Sequence, residues 1–162
     1  MVISATSWTL TPDDEHALRR GMERLLQESN AHSAMLVDRG GQLLSQAGEQ
    51  PAFDTTTFAT LTAADFSAND QLARLLGETE FSSLFHQGEK ESMLVCDVAR
   101  RAILIVLFDS RTTLGLVRLR LRPTVDDLTR IVHAMTARDT QAGDSRPPIL
   151  AGADDEIDRL FQ

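Results

Sequence analysis

Residues Arg101–Arg122 read RAILIVLFDSRTTLGLVRLRLR, and this stretch decides the fold class. Six apolar residues in a row, Ala102 to Leu107, are followed by Phe108 and then cut by Asp109-Ser110. Such a run predicts a strand buried on both faces and closed by a polar stop. The next segment looks like a second strand, because Leu119 and Leu121 alternate with Arg118, Arg120 and Arg122. A longer window overrules that reading. Leu114, Val117, Leu121, Val125, Leu128, Val132 and Met135 recur at spacings of three and four, which is one apolar stripe down a helix. A covered central strand running into a long helix predicts a small sheet with helices packed on it.

Working outward, Thr11-Pro12-Asp13-Asp14-Glu15 is a helix start: a threonine cap, proline at the first position, and acids at the positive end of the dipole. Leu18, Met22, Leu25 and Leu26 then give an apolar face up to about Ser29. Ala34–Val37 and Gln42–Ser45 read as paired strands about the turn Asp38-Arg39-Gly40-Gly41, whose glycines supply positive φ. Asp54 caps a second helix running to about Leu76, with Gly77 as its stop. Its expected core stripe is Phe58, Leu61, Ala68, Leu72, Leu75 and Leu76. The opposite face carries Thr60, Ala63, Ser67, Asp70, Gln71 and Arg74. Phe81–Gln87 reads as a short, half-polar strand suited to a sheet edge. Glu91–Val98 and Arg101–Phe108 form a further hairpin around Ala99-Arg100. In the last helix Pro123 removes a backbone hydrogen bond, and a kink there is expected. Helix, two strands, helix, three strands, helix gives an antiparallel sheet with helices on its faces.

At 162 residues the chain is long enough for one domain with a real core. The expected organisation is an N-terminal extension 1–11, a domain 12–138, a linker 139–153 rich in Gly, Pro and small polar residues, and a terminal peptide 154–162. In that peptide Ile157, Leu160 and Phe161 fall at i, i+3 and i+4, so one helical turn presents them as an apolar knob behind Asp154-Asp155-Glu156. A polar linker ending in such a knob marks a docking peptide.

Composition narrows the function. A net charge of −8 argues against nucleic acid, whose phosphates need a basic face. No run of about 18 apolar residues is present to span a membrane. The start MVISATSWTL has no basic segment followed by a long apolar one, so it is not expected to act as a signal peptide. The single cysteine, Cys96, fits a reducing compartment, so a cytoplasmic location is expected. His16, His32, His86 and His133 lack metal-ligand spacing with one another or with cysteine, and no phosphate loop is present. Cys96 with His86 could be drawn as nucleophile and base, but a cysteine inside MLVCDV is placed as a buried strand residue. No catalytic residues, metal or cofactor are expected. The outward face of the second helix, built from small or uncharged side chains with few long charged ones, suits a protein–protein contact.

Several phrases carry a family resemblance: LVDRGGQLLSQAG (Leu36–Gly48), DTTTFATLTA (Asp54–Ala63), LARLLGETEFSSLFHQGEKES (Leu72–Ser92), FDSRTTLGLVRLRL (Phe108–Leu121) and DDEIDRLF (Asp154–Phe161). They resemble the roadblock/dynein light chain family, and within it the MglB-like regulators of the bacterial Ras-like GTPase MglA. The resemblance implies a roadblock-type α/β/α sandwich, a five-stranded, mainly antiparallel sheet flanked by three helices, acting as a homodimer. It implies that edge strands of two protomers join through Phe81, Leu84 and Phe85, and that the second helices lie side by side. The GTPase would sit on that face, against Thr60, Ala63, Ser67, Gln71 and Arg74. Activation would proceed without an arginine finger, by reshaping the GTPase switch regions so that its own residues complete the site. Ile157, Leu160 and Phe161 would dock elsewhere on the GTPase and influence nucleotide exchange. The implied setting is cell polarity and gliding, with recruitment to the cell poles and other polarity proteins as further partners. The chain departs from the family at Asp65–Gln71, where the family's second helix is rich in Ala and Gly. That departure leaves a second reading, a non-stimulating roadblock scaffold. A profilin-like small-molecule sensor is a third and weaker one.

Overall fold

The computed structural model of the chain describes residues 9–144. Eight elements follow in order: α1 (Pro12–Ser29), β1 (Ser33–Asp38), β2 (Leu43–Gly48), α2 (Thr55–Leu75), β3 (Ser83–Gln87), β4 (Ser92–Val98), β5 (Ala102–Phe108) and α3 (Leu114–Asp144). The five strands form one sheet in the order β2-β1-β5-β4-β3, with every neighbouring pair antiparallel. The expected α/β/α sandwich is therefore present: α1 and α3 pack on one face of the sheet, and α2 on the other.

The apolar run that predicted a doubly covered strand is β5, the centre of the sheet, buried along its whole length. Its side chains alternate between two cores. Leu104, Val106 and Phe108 join Leu18, Met22, Leu25, Val117, Leu128 and Val132 beneath α1 and α3. Ile103, Ile105 and Leu107 join Met35, Val37, Ala59, Ala63 and Phe66 beneath α2. The period of two in a strand sorts one continuous apolar sequence into two layers.

Local signals account for the element ends. Thr11 caps α1 in a full capping box: its hydroxyl accepts from Asp14 N at 3.2 Å, and the Asp14 carboxylate accepts from Thr11 N at 3.0 Å. Asp54 caps α2 by accepting from Thr56 N and Thr57 N. The β4–β5 turn places both Ala99 and Arg100 at φ 57, in the left-handed region, and Arg101 N closes it by donating to Val98 O at 3.1 Å. Asp97 Oδ2 holds this turn by accepting from Arg100 N at 2.9 Å.

Two expectations change. The strand expected at Phe81–Gln87 begins only at Ser83, so Phe81 lies in the approach to β3. Pro123 lies inside α3, which is continuous from Leu114 to Asp144. Pro123 and Leu119, whose carbonyl loses its partner to the proline ring, are both exposed, so water can serve that oxygen. Residues 139–144, assigned by composition to a linker, extend α3 instead, and Asp139 accepts from Thr9 N at 3.3 Å. Among the described residues no helix is long and apolar enough to cross a membrane.

Candidate functional site

The largest difference from the sequence reading lies in α2. Its buried residues are Ala59, Thr62, Ala63, Phe66 and Ala73. Leu61 is 65% exposed, Leu72 52%, Leu75 83% and Leu76 73%. The leucines expected to form the core stripe point to solvent, and small residues with Phe66 face the sheet instead. With Ala64 and Ala68, also exposed, Leu61, Leu72 and Leu75 make a continuous apolar stripe at spacings of three and four on the outer surface. A stripe of this size on an open helix face marks an association surface.

Two contacts orient the flanks of that stripe. On one side Asp65 pairs with His86 of β3 at 3.0 Å, so this flank leans toward the free edge of the sheet. On the other, Thr60 lies against the β1–β2 turn. A Cβ on Gly41 (φ +91) would come within 2.9 Å of Thr60 Cα, which is why glycine is needed there. At about 100° per residue, Ser67, Gln71 and Arg74 fall on the Thr60 side of the leucines. All four are exposed. Ala63, grouped with them by the sequence reading, is 5% exposed and belongs to the core beneath α2. It is unavailable to a partner, because it lies on the inward half of the turn.

The dimer-edge candidates sit beside this surface. Among the described residues β3 is an edge strand bonded only to β4, with no other strand beside its outer backbone groups. Leu84 and Phe85 point to opposite faces, Leu84 toward the α2 core and Phe85 onto the other, where it stacks on Phe108 at 6.1 Å between ring centroids. Both are half-buried. A single helix about 10 Å across cannot cover five strands spaced about 4.8 Å apart. Leu84 and Met93, at the β3 end, are left partly open. The remaining candidates, Ile157, Leu160 and Phe161, lie outside the described residues.

Arg39 is the residue the sequence reading missed, because it was absorbed into the turn. Its Nη1 donates to Asp70 Oδ2 at 2.8 Å and its Nη2 to Asp97 Oδ1, while the guanidinium lies 4.8 Å over the ring of Phe66. It ties α2 to β1 and β4 and fixes the helix against the sheet, at the floor of a cavity of about 410 Å³ that Ser67, Arg74 and Arg100 also line. The only signal for it was a charged side chain just before two glycines. The Arg39 pairings also explain the departure at 65–71. Phe66 is buried, Asp65 pairs with His86 and Asp70 with Arg39, so of that segment only Ser67, Ala68 and Gln71 are fully outward.

Cys96 is buried beneath α3, and burial, with the Asp97 charge beside it, pushes its thiol up to about 12. It is a packing residue, and His86 is engaged with Asp65.

The whole arrangement defines a class. A model of the Roadblock/LC7 domain matches residues 21–108, and the chain belongs to that family. Within it the chain is similar to MglB of Myxococcus xanthus, at 44% identity and a TM-score of 0.69, covering 72% of this chain and 95% of that one. It is also similar to the gliding protein MglB of Thermus thermophilus, at 31% identity and a TM-score of 0.74, covering 79% and 97%. An MglB described with a tetrameric arrangement gives 31% identity and a TM-score of 0.75 over 80% and 97%. No curated protein sequence matches the chain.

Proposed function

We propose that the chain is a homodimeric regulator of an MglA-like Ras-type GTPase, with α2 as the docking face. The observation that carries this reading is the exposed leucine stripe on α2 beside the open edge of β3. The two are adjacent and self-complementary: pairing β3 with a second β3 would bring two α2 helices together over the half-covered face, and would bury Leu84 and Met93. Closed two-fold contacts of this kind satisfy an edge strand and an apolar helix at once. The similarity to MglB proteins supports the same reading.

In the dimer the flank carrying Thr60, Ser67, Gln71 and Arg74 stays open on both protomers and presents hydroxyls, an amide and a cation to the GTPase. The mechanism we infer is conformational. Arg39 and Arg100, near this face, are drawn into ion pairs with Asp70, Asp97 and Glu80, and Arg74 is the cation the face offers to the partner's surface. The dimer then acts as a mould that settles the GTPase switch regions, so that the GTPase's own residues stabilise charge on the transferred phosphoryl group. Polarity and gliding control, and recruitment to the poles, would follow from that partner.

The test is phosphate release from a purified MglA-type GTPase under single-turnover conditions, with and without the full chain. A faster rate with this chain supports activation. Binding without acceleration would instead assign a scaffold role, and absence of binding would remove the GTPase from the proposal.

A further inference from the structure

The end of the sheet opposite the Arg39 cluster gathers a half-buried imidazole and three carboxylates from four separate parts of the chain. His32 stands just before β1, Glu49 just after β2, Glu91 in the β3–β4 turn and Asp109 at the end of β5. The His32 side chain is 12% exposed, and its Nε2 lies 2.7 Å from Glu91 Oε2. Single donor atoms of His32, Glu91 and Asp109 all lie within 4.8 Å of one another. Glu49 Oε2 is 4.0 Å from Nδ1, the other ring nitrogen.

We propose that His32, Glu91 and Asp109 form a site for a divalent transition metal of the zinc type. One nitrogen and two carboxylate oxygens are a donor set zinc accepts at about 2.0–2.2 Å, leaving a fourth position for water. An imidazole among carboxylates selects against magnesium and calcium, which take oxygen donors. To share one ion, His32 Nε2 and Glu91 Oε2 must part slightly from 2.7 Å while Asp109 draws in, and the exposed Glu91 side chain has room for the first movement. Glu49, across the ring from Glu91, occupies the place of the outer carboxylate that orients a metal-bound histidine.

Charge supports the assignment. Glu49, Glu91 and Asp109 contribute three negative charges and Arg111 one positive. Arg111 Nε reaches Asp109 at 2.9 and 3.1 Å, and its Nη1 reaches Glu49 at 3.0 Å. With a neutral imidazole the cluster carries two negative charges, which one divalent cation balances. A cavity of about 660 Å³, lined by His32, Glu49 and Glu91 among others but not by Asp109, opens the imidazole side of the cluster to solvent. Bound there, the metal would fasten the β3–β4 hairpin to the body of the domain, and so stiffen the strand at the free edge.

The experiment is calorimetric titration of zinc chloride into the full chain after removal of metals by chelation, repeated with cobalt(II) to read its visible absorption. One zinc per chain and a cobalt band of low-coordinate intensity are expected. His32→Ala should abolish both, weakening zinc by more than the 10- to 100-fold typical of losing an outer partner. Glu91→Gln, in an exposed turn that tolerates substitution, should weaken it in the same direction, so the test does not depend on one variant folding. Arg111→Gln should tighten binding by removing a competing cation. His86→Ala should change nothing. Absence of zinc heat and cobalt colour in the wild-type chain would overturn the proposal. So would binding that survives His32→Ala and Glu91→Gln, or that depends on His86.

Discussion

The two faces of the sheet are built from the same central strand and finished in opposite ways. On one, α1 and α3 close over β5 with Leu18, Met22, Leu25, Leu128, Val132 and Met135 fully buried, and their outward sides are charged. On the other, α2 lies alone, held by small residues, Phe66 and the Arg39 pairings, with its leucines outside. Apolar residues are buried in the fold on the first face and left exposed on the second, where the proposed dimer would cover them. A helix that seats itself through alanines comes close to the sheet, and leaves its large side chains in solvent.

The largest expected effect separates these uses. Leu128→Ala, in the closed core, should lower unfolding stability by about 2–5 kcal/mol through lost burial and a cavity. Leu72→Arg, in the open stripe, should leave the circular dichroism of the folded chain intact and shift its mass by light scattering from twice 17.9 kDa to a single chain. A Leu72→Arg protein that still scatters as a dimer would break the contrast between the faces.

Next in size is the pair Ser67→Arg and Gln71→Arg. Both lie on the flank away from β3, so the doubly substituted dimer should persist while stimulation of the GTPase is lost. Wild-type phosphate release from this variant would move the docking site elsewhere. A third, smaller effect concerns the terminal peptide. Because α3 continues to Asp144, the chain should be cut after that residue rather than at 138, where truncation would remove helix. Nucleotide release from the GTPase should then change more than hydrolysis does. Unchanged release would leave Ile157, Leu160 and Phe161 without a role.

The smallest effect belongs to the closed face. Burial raises the Asp14 carboxyl pKa, but hydrogen bonds from Thr11 and Arg138 more than offset this and hold it below the ordinary carboxylate value. A carboxyl depressed in the native state stabilises above its unfolded pKa of about 3.9, and that contribution disappears as pH falls through the native value. Asp14→Asn should therefore cost about 1 kcal/mol at neutral pH, mostly through the weakened cap, and the cost should shrink in acid melts below about pH 4. A deficit that stays constant with pH would assign the effect to packing alone.

What was readable in the sequence follows the same division. The closed face was plain: a capping sequence at Thr11-Pro12, an unmixed apolar run at β5, and a clear stripe from Val117 to Met135. These signals are strong because one face of each helix is apolar and the other is not. In α2, alanines face inward and leucines outward, so the helix is apolar on two sides and no period identifies its buried one. Reading the larger residues as core inverted it and placed Ala63 outside. Hydrophobicity alone cannot distinguish a core from an interface, since both exclude water. The Arg39 anchor was hidden for another reason. Its partners, Asp70 and Asp97, lie 31 and 58 residues away, and only the folded chain brings them to it. The carboxylates around His32 were missed likewise, since no ligand spacing joins residues from four segments.

The length of α3 also sets a distance. Its 31 residues, at a rise of about 1.5 Å each, span about 46 Å. Its far end passes the start of α1, where Arg138 meets Asp14 and Asp139 meets the backbone of Thr9. The helix thus works as a strut: whatever follows Asp144 departs from a point held away from α2 by a stiff arm. In a two-fold assembly there are two such arms, related by symmetry. A single guest bound across the middle would meet two equivalent departure points on different sides of itself, and could engage them unequally. A symmetric platform could in this way hand its partner two different signals.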